Sequence, residues 1–174
     1  MKLHIIYCHP SKTSFTYEVL QSFLRGLDDA GHTFTLSDLY EMDFRTDLTE
    51  EEYLRETHYR GDLPLPEDVI SEQEKIEAAD ALAFVYPVFW TEAPAKLVGW
   101  FDRVWACGYA YADCTMKTLD KALFIACAGK TLASLEETGN KKAMEALLKQ
   151  MDAGWMPGFG QRVIIGHGDD WDKA

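Results

Sequence analysis

Three short segments of this chain are apolar at nearly every position instead of alternate ones, Leu3–Cys8, Ala81–Tyr86 and Ala122–Cys127, and Thr33–Leu36 and Arg162–Ile165 read as two further strands. A strand that is apolar on both faces must be covered on both, which is the condition of a parallel sheet flanked by helices. The intervening segments supply those helices. Phe15, Val19, Leu20, Phe23, Leu24 and Leu27 share one 3.6-period face, opposite Glu18, Gln21, Arg25 and Asp28, and Gly31 suits the helix end. Glu67–Ala79 and Lys141–Met151 repeat the pattern, the first with Val69, Ile70, Gln73, Ile76 and Ala79 inward, the second with Met144 among its inward residues. Between them, Thr49-Glu50-Glu51-Glu52 is a capping-box signature for a short helix over Tyr53 and Leu54. The expectation is one α/β domain over residues 1–174.

The balance of 17 basic against 29 acidic residues gives a net charge of -12 with no basic cluster, which argues against nucleic acid or an anionic membrane as the main partner. No apolar run reaches the roughly 18 residues a membrane span needs. Cys8, Cys107, Cys114 and Cys127 show no metal-like spacing and read as reduced thiols. A first core strand beginning at Leu3 leaves no room for a leader, so the expected location is cytoplasmic. The five scattered histidines form no ligand set, so no metal is expected. A phosphate-binding G-x-x-x-x-G-K-[ST], a dinucleotide G-x-G-x-x-G and a nucleophilic G-x-S-x-G are all absent.

Three loops leave the carboxyl ends of the first, third and fourth strands, where open α/β sheets bind ligands. The first, from His9 to Thr16, brings hydroxyls (Ser11, Thr13, Ser14, Thr16) to a helix N-terminus, which suits a phosphate or simply a cap. The second, from Pro87 to Pro94, exposes Phe89 and Trp90 on backbone not committed to a strand, which suits a flat aromatic ring unless both side chains are buried. The third, Ala128-Gly129-Lys130-Thr131, allows close backbone approach at Gly129. A nucleotide with an electron-accepting fused ring fits all three together.

These residues carry a resemblance. His9-Pro10-Ser11-Lys12-Thr13-Ser14-Phe15-Thr16, Ser37-Asp38-Leu39-Tyr40, and Glu72-Gln73 through Asp80 are similar to segments of the flavin-dependent NAD(P)H:quinone oxidoreductase family. Tyr86-Pro87-Val88-Phe89-Trp90 and Pro94-Ala95-Lys96-Leu97-Val98-Gly99-Trp100-Phe101-Asp102-Arg103-Val104 match its aromatic-Pro-x-x-Trp and Pro-Ala-x-Leu-x-Gly-Trp-Phe-acid-Arg-Val pattern, with Tyr109-Ala110-Tyr111 at the family's distance. The resemblance implies a flavodoxin-like three-layer sandwich with a five-stranded parallel sheet in the order 2-1-3-4-5. It implies FAD, or FMN as in some smaller relatives, with NAD(P)H as hydride donor. It places His9, Phe15 and Thr16, next to the Ser14 hydroxyl, at the phosphates and ribityl chain. It places Pro87, Val88, Phe89, Trp90 and Thr91 along the ring, and the third loop, by its own residues Ala128, Gly129 and Lys130, is expected to meet the other edge. Tyr111 reaches toward the active site of a partner subunit, since the family forms homodimers.

The implied activity is hydride transfer from NAD(P)H through the flavin to a quinone or similar small electrophile. Some relatives instead serve as ancillary subunits of potassium efflux systems, which is the alternative. The chain departs from the family after the fourth strand. Cys127 and Ala128 replace a Thr-Thr pair before Gly129, Ala133 and Glu137 stand near the positions of a Tyr and a His that assist hydride transfer, and Asp113 replaces a second interface Tyr.

Overall fold

The computed structural model describes residues 1–152 and 161–166. Strands β1 (Lys2–Tyr7), β2 (Thr33–Asp38), β3 (Ala81–Pro87) and β4 (Lys121–Ala128) pair in parallel in the order β2-β1-β3-β4, and β5 (Gln161–Gly166) pairs in parallel with the free edge of β4. Helices α1 (Phe15–Asp29), α2 (Glu50–Thr57), α3 (Glu67–Glu77), α4 (Ala95–Val104), α5 (Leu132–Glu137) and α6 (Asn140–Asp152) fill the connections. The α/β class with a parallel sheet follows from the unbroken apolar strands: every residue of β3 is buried.

Alternate strand residues serve opposite faces. Leu3, Ile5, Tyr7, Ala83 and Val85 pack with Leu20 and Leu27 of α1. Ile6, Leu82, Phe84, Tyr86 and Phe124 pack with Ile76, Leu97, Trp100 and Val104 of α3 and α4. At the centre of that second face Phe84 stacks on Phe124 with centroids 4.7 Å apart and meets Trp100 edge-on at 5.8 Å. Helix α4 passes so close to residue 46 that a Cβ on Gly99 would lie 2.5 Å from Thr46 Cβ and 2.7 Å from its carbonyl oxygen. Only glycine permits that approach.

The second face also contains charge. Arg103, 2 % exposed, donates from Nε to Glu52 Oε1 at 2.9 Å, from Nη2 to Asp68 Oδ1 at 2.9 Å, and from Nη1 to the Arg45 carbonyl at 2.8 Å. It ties α2, the start of α3 and the 45 segment to α4. Glu72, fully buried on α3, accepts from Ser37 Oγ at 2.8 Å, Trp100 Nε1 at 2.9 Å and the Lys75 ammonium, and His4 Nε2 lies 3.5 Å away. Burial opposes its ionisation, but His4 and Lys75 outweigh burial and hold the carboxyl down to about 2.

Several expectations need correction here. The capping box forms as expected, with Glu52 N–H donating to Thr49 Oγ1 at 3.1 Å and Thr49 N–H to Glu52 Oε2 at 2.7 Å, and α2 then shows which of its faces is buried. Tyr53 and Leu54 face outward, and the charged Glu52 and Arg55 face in, because each finds charged or carbonyl partners inside. Helix α5, capped by Thr131, was not expected from the sequence. Of the periodic face proposed for α1, Leu20 and Leu27 are buried, whereas Phe15, Val19, Phe23 and Leu24 are only partly covered by the described residues. Of the four thiols, Cys8, Cys107 and Cys127 are buried, and Cys114 is exposed.

Candidate active site

The loops after β1, β3 and β4 lie side by side because the sheet's hydrogen bonding continues into them. Cys8 N–H donates to the Val85 carbonyl at 3.1 Å, and Val88 N–H to the Cys127 carbonyl at 2.8 Å. Buried thiols floor this edge: burial pushes Cys8 up to about 12 and Cys127 up to about 11, so both stay neutral.

In the first loop, Ser14 is the N-cap of α1: its Oγ accepts from Tyr17 N–H at 3.1 Å and donates to the Ser11 carbonyl at 3.0 Å. The ring of His9 is tied to the same turn. Its Nδ1 lies 2.9 Å from Ser11 N–H and 3.0 Å from the Ser11 carbonyl, so either protonation state has a partner. Burial lowers its pKa, partly offset by the Ser11 carbonyl, which favours the neutral imidazole. Beneath the turn lies an unexpected feature. The Tyr7 hydroxyl is buried without a hydrogen-bond partner among the described residues. Burial pushes this phenol up to about 12, and the nearby Ser14 hydroxyl, already committed to Ser11 and Tyr17, lowers it only in part. An orphaned hydroxyl under a helix N-terminus leaves a hydrogen bond for a ligand to complete.

The second loop is a two-residue hairpin. Phe89 N–H donates to the Glu92 carbonyl and Glu92 N–H to the Phe89 carbonyl, both at 2.9 Å. Its tip residues Trp90 and Thr91 have φ of 51° and 70°. Left-handed backbone is costly for a non-glycine residue and more so for a β-branched one, about 1–3 kcal/mol each. The N–H groups of Trp90 and Thr91 meet no acceptor among the described residues. The indole of Trp90 is 100 % exposed, which removes the reading in which it is buried in the core of this chain.

A cleft of about 450 Å³ separates this hairpin from the third loop, lined by Val88, Trp90, Thr91, Ala128, Gly129, Lys130, Leu135, Asn140 and Met144. Six of the residues proposed from sequence are thereby brought together. Pro87 is the buried last residue of β3, opposite Cys127, and Phe89 lies at the hairpin base, half exposed and outside the lining. His9 in the loop after β1, the cap Ser14, and Phe15 and buried Thr16 opening α1 lie at the neighbouring strand end, also outside the lining. Tyr111 is not at the cleft either. Its hydroxyl donates to Glu56 Oε2 on α2 at 2.5 Å, and its ring meets Tyr59 edge-on at 6.3 Å. Leu135, Asn140, Met144 and Tyr7 were missed as site residues. Met144 signals itself only by its inward helical position, Tyr7 only as the polar tip of an apolar strand, and Asn140 by nothing.

The family model described as the flavodoxin-like fold matches residues 1–160. NAD(P)H dehydrogenase (quinone) 1 of Rattus norvegicus is 36 % identical over 157 residues, covering 82 % of this chain and 55 % of the relative. Ribosyldihydronicotinamide dehydrogenase (quinone) of Mus musculus is 36 % identical over 124 residues, 63 % of this chain and 53 % of that protein. The chain thus spans about half the length of the curated relatives it matches. The solved NAD(P)H:quinone oxidoreductase from Methanothermobacter marburgensis aligns with a TM-score of 0.88 at 43 % identity, over 98 % of this chain and 87 % of that one. With the family model spanning most of its length and an oxidoreductase of this kind matching nearly end to end, the chain belongs to the flavodoxin-like family, in its branch of flavin-dependent NAD(P)H:quinone oxidoreductases.

Proposed function

We propose that this chain is an NAD(P)H:quinone oxidoreductase that holds a flavin between the 88–91 hairpin and the 128–130 turn. The observation that carries this reading is the cleft itself: an exposed indole on one rim, on the other a glycine whose Cβ position faces open space, and Leu135, Met144 and Val88 also in the lining. A bound flavin supplies acceptance of hydride from NAD(P)H and its delivery to a quinone-like acceptor. The protein's part is binding, orientation and electrostatics. Trp90 offers a face for the ring, and the N–H groups of Trp90 and Thr91, unpaired among the described residues, offer fixed donors for its polar edge. Such donors contribute most where negative charge develops in a site closed to water. Lys130 adds a cation at the rim. The start of α1, with His9, Ser14, Phe15 and Thr16 above the orphaned Tyr7 hydroxyl, is suited to the phosphate end.

Of α5 only Leu135 lines the cleft, while Ala133 and the carboxylates Glu136 and Glu137 are exposed outside its lining, so protons come from solvent and turnover is expected to be slow. FAD is the proposed form, with FMN the alternative. We read residues 1–174 as one three-layer domain completed by β5 as the fifth strand, in a cytoplasmic homodimer. The exposed apolar side chains Tyr53, Leu54, Tyr59 and Leu63 around α2 support the dimer, and three buried free thiols suit a reducing compartment. The potassium-efflux alternative gains no observation in its favour. The test is the visible absorption spectrum of the purified protein, mass identification of the cofactor released from it, and bleaching on addition of NADH or NADPH. A protein that stays colourless with added FAD and FMN overturns the reading.

A further inference from the structure

Asn140 is a polar side chain that the chain goes out of its way to bring to the cleft. Gly139, in left-handed backbone with φ of 75°, follows Thr138 at the end of α5 and lets α6 begin at residue 140. Met144, buried in the core, lies one helical turn after Asn140, so the two share the inward face of α6. Asn140 itself lines the cleft, is partly buried, and has no side-chain hydrogen bond among the described residues. Its carboxamide therefore holds both kinds of hydrogen-bonding capacity unspent, two N–H donors and a carbonyl acceptor.

The rest of the lining makes the acceptor the scarce half. The groups offered above to the polar edge of the ring are the N–H donors of Trp90 and Thr91, and the Lys130 ammonium can also only donate. A flavin presents C2=O, N3–H and C4=O in a row along that edge, so donors alone leave its central N–H unmatched. Among the lining side chains only Thr91 and Asn140 carry an oxygen acceptor, and none is a carboxylate. Of these two, only the carboxamide can accept and donate side by side. We propose that Asn140 reads the pyrimidine edge of the flavin, Oδ1 accepting from N3–H and Nδ2 donating to the neighbouring carbonyl. This rests on the reading in which the cleft holds the flavin ring. An amide also suits the reduced ring, whose negative charge lies near N1 and the C2 carbonyl, because it supplies an acceptor without a second negative charge beside the first.

The experiment titrates the full chain, freed of flavin, with FAD and with FAD methylated at N3, and runs FMN and 3-methyl-FMN in parallel. Methylation is expected to weaken binding to the wild type by roughly fivefold to a hundredfold, the cost of leaving a partly buried polar group unpaired. Asn140→Leu, which keeps the bulk of the side chain, is expected to bind FAD more weakly and to shrink that methyl penalty by about threefold or more. A penalty equal in the wild type and in Asn140→Leu overturns the proposal, since the methyl group then meets only bulk. Asn140→Asp keeps the acceptor and loses the donor, so it carries the test should Asn140→Leu fail to fold. It is expected to retain the methyl penalty on the oxidised flavin and to hold the reduced flavin about tenfold less tightly relative to the oxidised one. That ratio lowers the midpoint potential of the bound flavin by about 30 mV for two electrons, and an unmoved potential also overturns the proposal. A chain that binds neither FAD nor FMN overturns the reading of the cleft and this proposal together. Intact FAD binding with an unchanged methyl penalty overturns the role of Asn140 alone.

Discussion

The interior between α2, α3 and α4 and the hairpin after β3 are opposite kinds of structure. The first buries full charges and satisfies them: Arg103 is shared between Glu52 and Asp68, and Glu72 accepts from three donors with His4 beside them. The second leaves two N–H groups without an acceptor among the described residues, holds two residues in left-handed backbone and exposes a whole indole. Strain and unmade hydrogen bonds persist where surrounding structure over-determines them. The charged interior anchors α4, which begins directly after the hairpin, and the buried β3 anchors its other end. The lesson is a division of labour, in which the scaffold is over-satisfied so that the site can be under-satisfied.

The strongest blow to that division is Arg103→Ala. It leaves the carboxylate of Glu52 buried and loosens Asp68, and breaking one side of a buried pair costs about 3–5 kcal/mol. Urea unfolding is expected to show that loss, and a loss under about 1 kcal/mol would mean the network is decorative. Next comes acid. The folded pKa of Glu72 lies at about 2, below its ordinary value of 4.5, so the unfolded chain binds more protons between those values. The contribution, on the order of 3 kcal/mol, is therefore complete above pH 4.5 and fades as pH falls toward about 2. Glu72→Gln is expected to be less stable at neutral pH and to flatten that acid limb in thermal unfolding.

The smaller effects fall on the hairpin. Thr91→Gly removes a β-branched residue from left-handed backbone, at the cost of a floppier unfolded chain. The net expectation is a gain of about 1 kcal/mol in stability together with weaker flavin binding, read from denaturant midpoints and flavin titration. A destabilised Thr91→Gly would show that the hairpin is not strained.

The same contrast explains what sequence could show. Strands buried on both faces announce themselves, because Leu82-Ala83-Phe84-Val85 has no polar side to hide. Thr49 and Glu52 were legible as a cap because that bond is local. The inward turn of α2 was not, since a charged residue reads as solvent-facing until its partners, here Arg103 from 51 positions away, are known. The hairpin was illegible for another reason. Phe89-Trp90-Thr91-Glu92 contains none of the Gly or Asn that left-handed turns normally use, so only tertiary context makes it turn. Trp90 and Gly129 could be picked out as site residues by type, whereas Asn140 and the empty-handed Tyr7 hydroxyl depend on where the chain places them.

The measurement nearest to the central claim is flavin titration of Trp90→Ala. The side chain is fully exposed in the free chain, so stability should change by no more than about 0.5 kcal/mol. Lost stacking on the indole should weaken flavin binding by roughly fivefold to a hundredfold, the range of 1–3 kcal/mol per stacked ring. Flavin affinity equal to that of the wild type would contradict the placement of the ring in this cleft.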